Sequence, residues 1–162
     1  MSYQPNSFYC FVCGVKNESG LRARFQNEGP GRVRVETQIC DQHQGYPGIA
    51  HGGVLASLLD ESMTRALMTE DDQRFFFTAK MELRYKSNVP LETNLIVTGR
   101  VVKDRGRAAT VEGEIILPDG THAVEATATV FQVPRDEFPL DAEALGWRVY
   151  SDEEFEAMTA DE

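Results

Sequence analysis

Residues 51–70, HGGVLASLLDESMTRALMTE, are the one long segment whose apolar positions recur every three or four residues. Val54, Leu55, Leu58, Leu59, Ser62, Met63, Ala66 and Leu67 fall on one wide face, as in an amphipathic helix. Elsewhere the period is two. Residues 21–27 and 32–40 alternate around the turn Glu28-Gly29-Pro30-Gly31. Gly45-Tyr46-Pro47-Gly48 is a loop that cannot be helix. After the helical segment, strand-like runs cover 75–87, 93–103, 107–117 and 121–133. Asp104-Arg105-Gly106 and Pro118-Asp119-Gly120 supply hairpin turns between them. Two strands, one long helix and four antiparallel strands make an α+β fold, not alternating βαβ. A single helix must bury its apolar face somewhere, and a strongly curved antiparallel sheet wrapped around it does so.

At 162 residues the chain is long enough for one domain, at about 150 residues each, and needs no disulfide to hold a core. We assign residues 1–133 to that domain and residues 134–162 to a tail. The tail holds ten acids against two bases, or −8 of the total −10. Its Ser151-Asp152-Glu153-Glu154 reads as a capping box before Phe155 and Met158. A sequence pI near 4.8 argues against sequence-independent nucleic-acid binding, which needs a basic footprint. Charges interrupt every window of about 20 residues, which argues against a membrane-spanning chain. Met1-Ser2-Tyr3-Gln4-Pro5 has neither the basic start nor the apolar core of a secretory signal, so a cytoplasmic protein is expected.

The stretch with chemical content is Gly48-Ile49-Ala50-His51-Gly52-Gly53, which opens straight into the helix. A helix N-terminus presents unpaired N–H groups and partial positive charge. Glycines there let a substrate approach the backbone, so the Gly52 or Gly53 amide suits a carbonyl oxygen gaining charge. Asp60 follows nine residues after His51 among Leu58, Leu59 and Met63, where a carboxylate needs a partner or a task. The bland readings are a loop-to-helix turn for Gly52-Gly53, a loop or cap role for His51, and a solvated helix edge for Asp60 and Glu61.

The hairpin from Arg100 to Arg107 holds Arg100, Lys103, Arg105 and Arg107 against Asp104 alone, a patch suited either to phosphates or to a solvated tip. Cys10-Phe11-Val12-Cys13-Gly14 has the spacing of half a zinc knuckle. Cys40 and His43 offer a second pair that would complete a structural, four-ligand zinc site. The plain alternative is buried thiols.

HGGVLASLLDESMTRAL and the strands around it resemble the hotdog-fold acyl-CoA thioesterases, in the phenylacetate-pathway branch of the 4-hydroxybenzoyl-CoA thioesterase superfamily. The likeness covers roughly residues 8–133. It rests on HGG at the helix start, the acid nine residues after the histidine, Thr78 and Tyr85 on the next strand, the RGR hairpin, EATATVF, and the leader CFVCGVKNESGL.

The resemblance implies a hotdog fold and hydrolysis of acyl-CoA. Asp60 would be nucleophile or general base, the Gly52 amide the oxyanion donor, and His51 the orienting residue. Thr78 would hold the attacking water or the carboxylate. Gly53, Lys103, Arg105 and Arg107 would bind substrate, and no cofactor would be needed for the reaction. It also implies sites shared between chains of a homodimer or homotetramer. One departure stands out: the Asn or Gln common about six residues before the histidine is Gly45 here, with Gln42 and Gln44 nearby. An apolar acyl pocket is expected from Leu55, Leu59, Met63, Phe75, Phe76 and Phe77. The rival readings are a non-catalytic acyl-CoA-binding module and a hydratase or dehydratase on the same scaffold.

Overall fold

The computed structural model describes residues 1–137 and 141–160. Six strands form one antiparallel sheet: β1 (Gln26–Gly29), β2 (Arg32–Thr37), β3 (Phe76–Tyr85), β4 (Leu95–Asp104), β5 (Ala108–Ile116) and β6 (His122–Gln132). Their order across the sheet is β1-β2-β4-β5-β6-β3, so β3 lies at an edge. Helix α1 (Gly52–Arg65) packs on the concave face and ends in a 3-10 turn, Ala66–Met68. The core forms between them. Leu55, Leu58, Leu59 and Met63 of α1 meet Val33, Val35, Leu95, Val97, Val111, Ile115, Val124 and Val130. Each fully buried Leu or Met stabilises the fold by about 1.5–3 kcal/mol. The alternation read from sequence is this division into helix-facing and outward residues.

Two facing glycines set how close the helix sits. Gly99 of β4 pairs with Gly113 of β5. A Cβ on Gly99 would lie 2.0 Å from the Ser62 carbonyl oxygen, so the α1 backbone rests directly on β4. A Cβ on Gly113 would meet the Met63 and Leu59 side chains at 3.0 and 3.1 Å.

The expected strand over 21–27 is displaced. β1 begins only at Gln26, and residues 21–25 stay outside the sheet. Arg22 has φ +50°, which breaks the pleat. Ala23 and Phe25 are nonetheless buried, because the segment bonds to the N-terminal residues instead. Ala23 N–H donates to the Val12 carbonyl, and Gln4 N–H donates to the Phe25 carbonyl. The alternation was real, but it served a loop packed on the core. The expected helix over 51–70 shortens to the α1 span and its 3-10 turn.

The described residues of the acidic tail pack on the N-terminal segment. They form α2 (Ala142–Leu145) and α3 (Asp152–Thr159), and α3 carries the capping box between Ser151 and Glu154. Phe8 N–H donates to the Leu145 carbonyl and Asn6 N–H to the Arg148 carbonyl. Tyr150 is buried, and Arg24 reaches both Asp152 and the Tyr150 carbonyl. Among the described residues no helix is long and apolar enough to cross a membrane.

Candidate active site

The site is assembled along α1 and β3, held by a contact at each end. At the helix start, His51 is the N-cap, and its Nδ1 accepts from Gly53 N–H at 3.0 Å. A neutral His51 ring therefore carries its proton on Nε2. Val54 and Leu55 N–H both donate to the His51 carbonyl. Among the described residues, the Gly52 N–H is left as the first-turn amide with no protein acceptor. Tyr85 Oη donates to the Gly52 carbonyl at 2.8 Å, which ties this end of α1 to the far end of β3. A Cβ on Gly52 would stand 3.5 Å from the Tyr85 ring, an ordinary contact. Close approach within this chain therefore does not require the glycine.

Two turns further on, Thr78 Oγ1 donates to Asp60 Oδ1 at 2.6 Å. The bond is short because the acceptor is a carboxylate. Asp60 and Thr78 are both half-buried. The β3 backbone bulges between Thr78 and Lys80, directly beside this contact. Asp60 Oδ2 has no protein partner among the described residues and stays available to a water or a carbonyl carbon.

Eight residues of one helix separate Gly52 from Asp60, or about 12 Å at 1.5 Å per residue. An attacking group and an oxyanion donor must each lie about 3 Å from one reacting carbonyl. The two therefore do not serve the same carbonyl within one chain.

Several expectations change. Leu55, Leu59 and Met63 do not line an acyl pocket. They are 0–3% exposed and interlock with the sheet. Phe76 is buried, Phe75 stacks against Trp147 with ring centroids 5.3 Å apart, and Phe77 is 61% exposed beside Phe131. Neither glutamine replaces the polar residue missing at Gly45. Gln44 Oε1 accepts from Gly48 N–H, and Gln42 Nε2 donates to the Glu18 carbonyl. A Cβ at Gly45 would come 3.1 Å from the His51 Cα, so the loop packs tightly against the HGG turn there.

In the basic hairpin, Arg100 is committed to Glu112, and Asp104 is gripped by Arg74. That guanidinium holds the Asp104 carboxyl below the usual carboxylate range. Lys103, Arg105 and Arg107 stay exposed, without an ion pair among the described residues. Thr78 pairs with Val130, and Val130 with Ala109. Arg107 is thus two strands across and two residues along from Thr78. At strand spacing of about 4.8 Å and rise of about 3.3 Å, that is about 12 Å. The basic tip and Asp60 share one end of the sheet.

The four expected zinc ligands do not gather. Cys40 Sγ lies 3.1 Å from His43 Nδ1, while His43 Nε2 is bonded to the Ser19 carbonyl. Cys10 and Cys13 instead cluster with Glu61. Glu61 is no solvated helix edge. It pairs with Arg65, whose side chain is 2% exposed, stacks near Phe25 and Trp147, and donates to the Pro5 carbonyl. Burial is the largest single influence and works against the Arg65 charge, but Glu61 and the other groups beside it together raise its pKa above the usual arginine value. The i,i+4 spacing of Glu61 and Arg65 was a legible signal for this pair.

Residues 47–124 match the sequence family described as Thioesterase superfamily. Human acyl-coenzyme A thioesterase 13 is 30% identical over 74 residues, covering 46% of this chain and 53% of that protein. The Rattus norvegicus acyl-coenzyme A thioesterase THEM4 is 29% identical over 115 residues, covering 70% of this chain and 49% of that protein. The chain thus spans about half the length of the curated relatives it matches. A crystal structure of a thioesterase superfamily protein superposes with a TM-score of 0.68 at 29% identity, covering 76% of this chain and 62% of that one. A Streptococcus pneumoniae hypothetical thioesterase determined with coenzyme A gives 0.63 at 22% identity, covering 68% and 85%. The matched segment opens just before the HGG turn and closes within β6, so it encloses α1, β3 and the Asp60–Thr78 contact. Residues 47–124, just under half of the chain, thus match the Thioesterase superfamily, and the curved sheet around one central helix is the hotdog fold of its structural neighbours.

Proposed function

We propose that the protein hydrolyses acyl-CoA thioesters to a free acid and coenzyme A. The observation that carries this reading is the 2.6 Å bond from Thr78 to Asp60, which fixes one carboxylate oxygen and leaves the other unpartnered. Asp60 acts on the thioester carbon, either by deprotonating a water that attacks it or by forming an acyl anhydride that a water then cleaves to the free acid and the restored carboxylate. The Gly52 N–H at the positive end of α1 stabilises the developing oxyanion. Sulfur leaves as the coenzyme A thiolate and takes a proton from solvent. His51, capping the helix, holds the Gly53 amide and sets the direction of the Gly52 N–H. The acyl-CoA thioesterase names of the curated relatives support the substrate class. The HGG–Asp spacing and the leader support the phenylacetate-pathway branch. Three free cysteines suit a reducing cytoplasmic setting.

Thiol release from acyl-CoA thioesters tests the reaction, since a binding module would saturate without releasing coenzyme A. In the same assay, joint replacement of Arg105 and Arg107 by alanine is expected to raise KM several-fold and leave kcat nearly unchanged. Loss of binding common to ground and transition states has that signature. The effect should vanish with pantetheine thioesters, which lack the nucleotide phosphates. Equal damage to both substrates would mean that the arginines do not meet those phosphates.

The site belongs to two chains in this reading. The separation of about 12 Å between Gly52 and Asp60 calls for a second α1, antiparallel to the first. β3 offers the contact: it is a ten-residue strand at the edge of the sheet, with Tyr85 exposed near its end. Asp60→Asn and Gly52→Val should each be inactive alone and regain part of the activity when mixed. Mixed dimers contain one site with both defects and one with neither. If subunits exchange and no activity returns, the shared site is wrong.

A further inference from the structure

The Cys10–Cys13 turn is shaped like a metal knuckle. Val12 N–H donates to Cys10 Sγ at 3.3 Å, and Gly14 N–H donates to the Cys10 carbonyl at 2.9 Å. The backbone therefore folds back around the first sulfur. A Cβ on Gly14 would lie 2.4 Å from the Cys10 carbonyl oxygen and 2.8 Å from its nitrogen, so only glycine closes this turn. Across the fold stands Glu61, brought here by α1. Its Oε1 accepts from Arg65 Nε and Nη2 at 3.1 and 2.8 Å. Its Oε2 faces Cys10 Sγ at 3.0 Å. The Cys10 sulfur, the Cys13 sulfur and a Glu61 carboxylate oxygen all lie within 4.8 Å of one another. A tetrahedral zinc with Zn–S near 2.3 Å and Zn–O near 2.1 Å spans S···S of about 3.8 Å and S···O of about 3.6 Å. Small side-chain adjustments reach those separations.

We infer that Cys10, Cys13 and Glu61 form a three-ligand site for a thiophilic divalent cation, Zn²⁺, that staples the N-terminal segment to the middle of α1. Charge supports it. Two thiols with the Glu61–Arg65 pair carry no net charge. Binding sends two thiol protons to solvent. Two thiolates, one carboxylate, one guanidinium and a dication then again sum to zero, so neither state strands a charge in this half-buried place. Arg65 plays the outer-shell part that ligating carboxylates require, fixing Glu61 through its other oxygen. Cys40 and His43 take no part. Three protein ligands leave the fourth position to water. The inference is independent of the hydrolase reading.

The test uses the full chain, reduced and stripped by a chelator. One Zn²⁺ per chain should bind and raise Tm. Co²⁺ in its place should give a thiolate-to-cobalt charge-transfer band and the visible bands of four-coordinate cobalt. Cys13→Ser should weaken Zn²⁺ at least about 100-fold, the upper end for loss of even an outer-shell partner. Cys40→Ser should bind as the parent does. Absence of stoichiometric binding by the folded parent overturns the inference, as does a cobalt spectrum without the thiolate band. So does loss of binding in Cys40→Ser. If Cys13→Ser does not fold, the parent's cobalt spectrum and the Cys40→Ser titration still decide.

Discussion

Asp60→Asn is expected to lower acyl-CoA turnover by at least about 100-fold, the usual effect of removing a positioned general base, with the fold intact. The asparagine carbonyl keeps the shape and still accepts from Thr78 Oγ1, which is now 2.6 Å from Asp60 Oδ1. What disappears is the negative charge and the basic oxygen. Circular dichroism and Tm should match the parent, and thiol release should collapse. The neighbouring acid offers no substitute, because Glu61 is held by buried Arg65 and faces Cys10. A folded Asp60→Asn protein with near-parental hydrolysis would remove Asp60 from the mechanism. Thr78→Val gives the graded companion: a smaller loss, because the carboxylate remains but is no longer fixed.

Gly99→Ala is expected to cost about 3 kcal/mol or more, from a total stability of about 5–15 kcal/mol for a natural domain. The added methyl would lie 2.0 Å from the Ser62 carbonyl oxygen and 2.5 Å from its carbon. Both are backbone atoms of α1. No rotamer change relieves the clash, so the helix must lift off the sheet and open the core around Leu59 and Met63. For a chain of this size the loss corresponds to a fall in Tm of roughly 6–12 °C. Gly113→Ala, its cross-strand neighbour, should cost less, about 1–2 kcal/mol. Two of its three close contacts are the flexible Met63 and Leu59 side chains. A Gly99→Ala protein melting within about 2 °C of the parent would show that helix and sheet are not in this contact in solution.

The glycine pair shows where sequence reading stops. Gly99 and Gly113 sit inside runs that alternate well and are 14 residues apart, so neither stands out. Their meaning appears only when β4 and β5 pair them and α1 crosses above. Glu61 and Cys10 likewise have no sequence relation, being 51 residues apart. The expected four-ligand set did not gather for that reason. Cys40 and His43 have suitable spacing, but spacing along the chain says nothing about distance from Cys10.

The acyl pocket failed for a related reason. A helix face rich in Leu and Met states that it will be buried, not what will bury it. Here the chain's own sheet covers Leu55, Leu59 and Met63. The strand over 21–27 was a third case: alternation records burial on one side, and a loop laid on the core produces it as well as a strand does.

What the residues settled by themselves was local. The 3.6-residue period of 51–70 against the two-residue period elsewhere dictated one helix and a sheet, and with them the α+β architecture. Gly52-Gly53 after His51 marked the helix start, because a capping side chain and missing Cβ atoms act over a few residues. Ser151 and Glu154 specified their capping box in the same way. Asp60 was recognisable as a carboxylate set beside an apolar face. Tertiary structure alone decided which tyrosine secures Gly52, which thiol faces Glu61 and how near α1 lies to the sheet. The tyrosine and thiol contacts join residues 33 and 51 apart, and only the folded chain brings such residues to within about 3 Å.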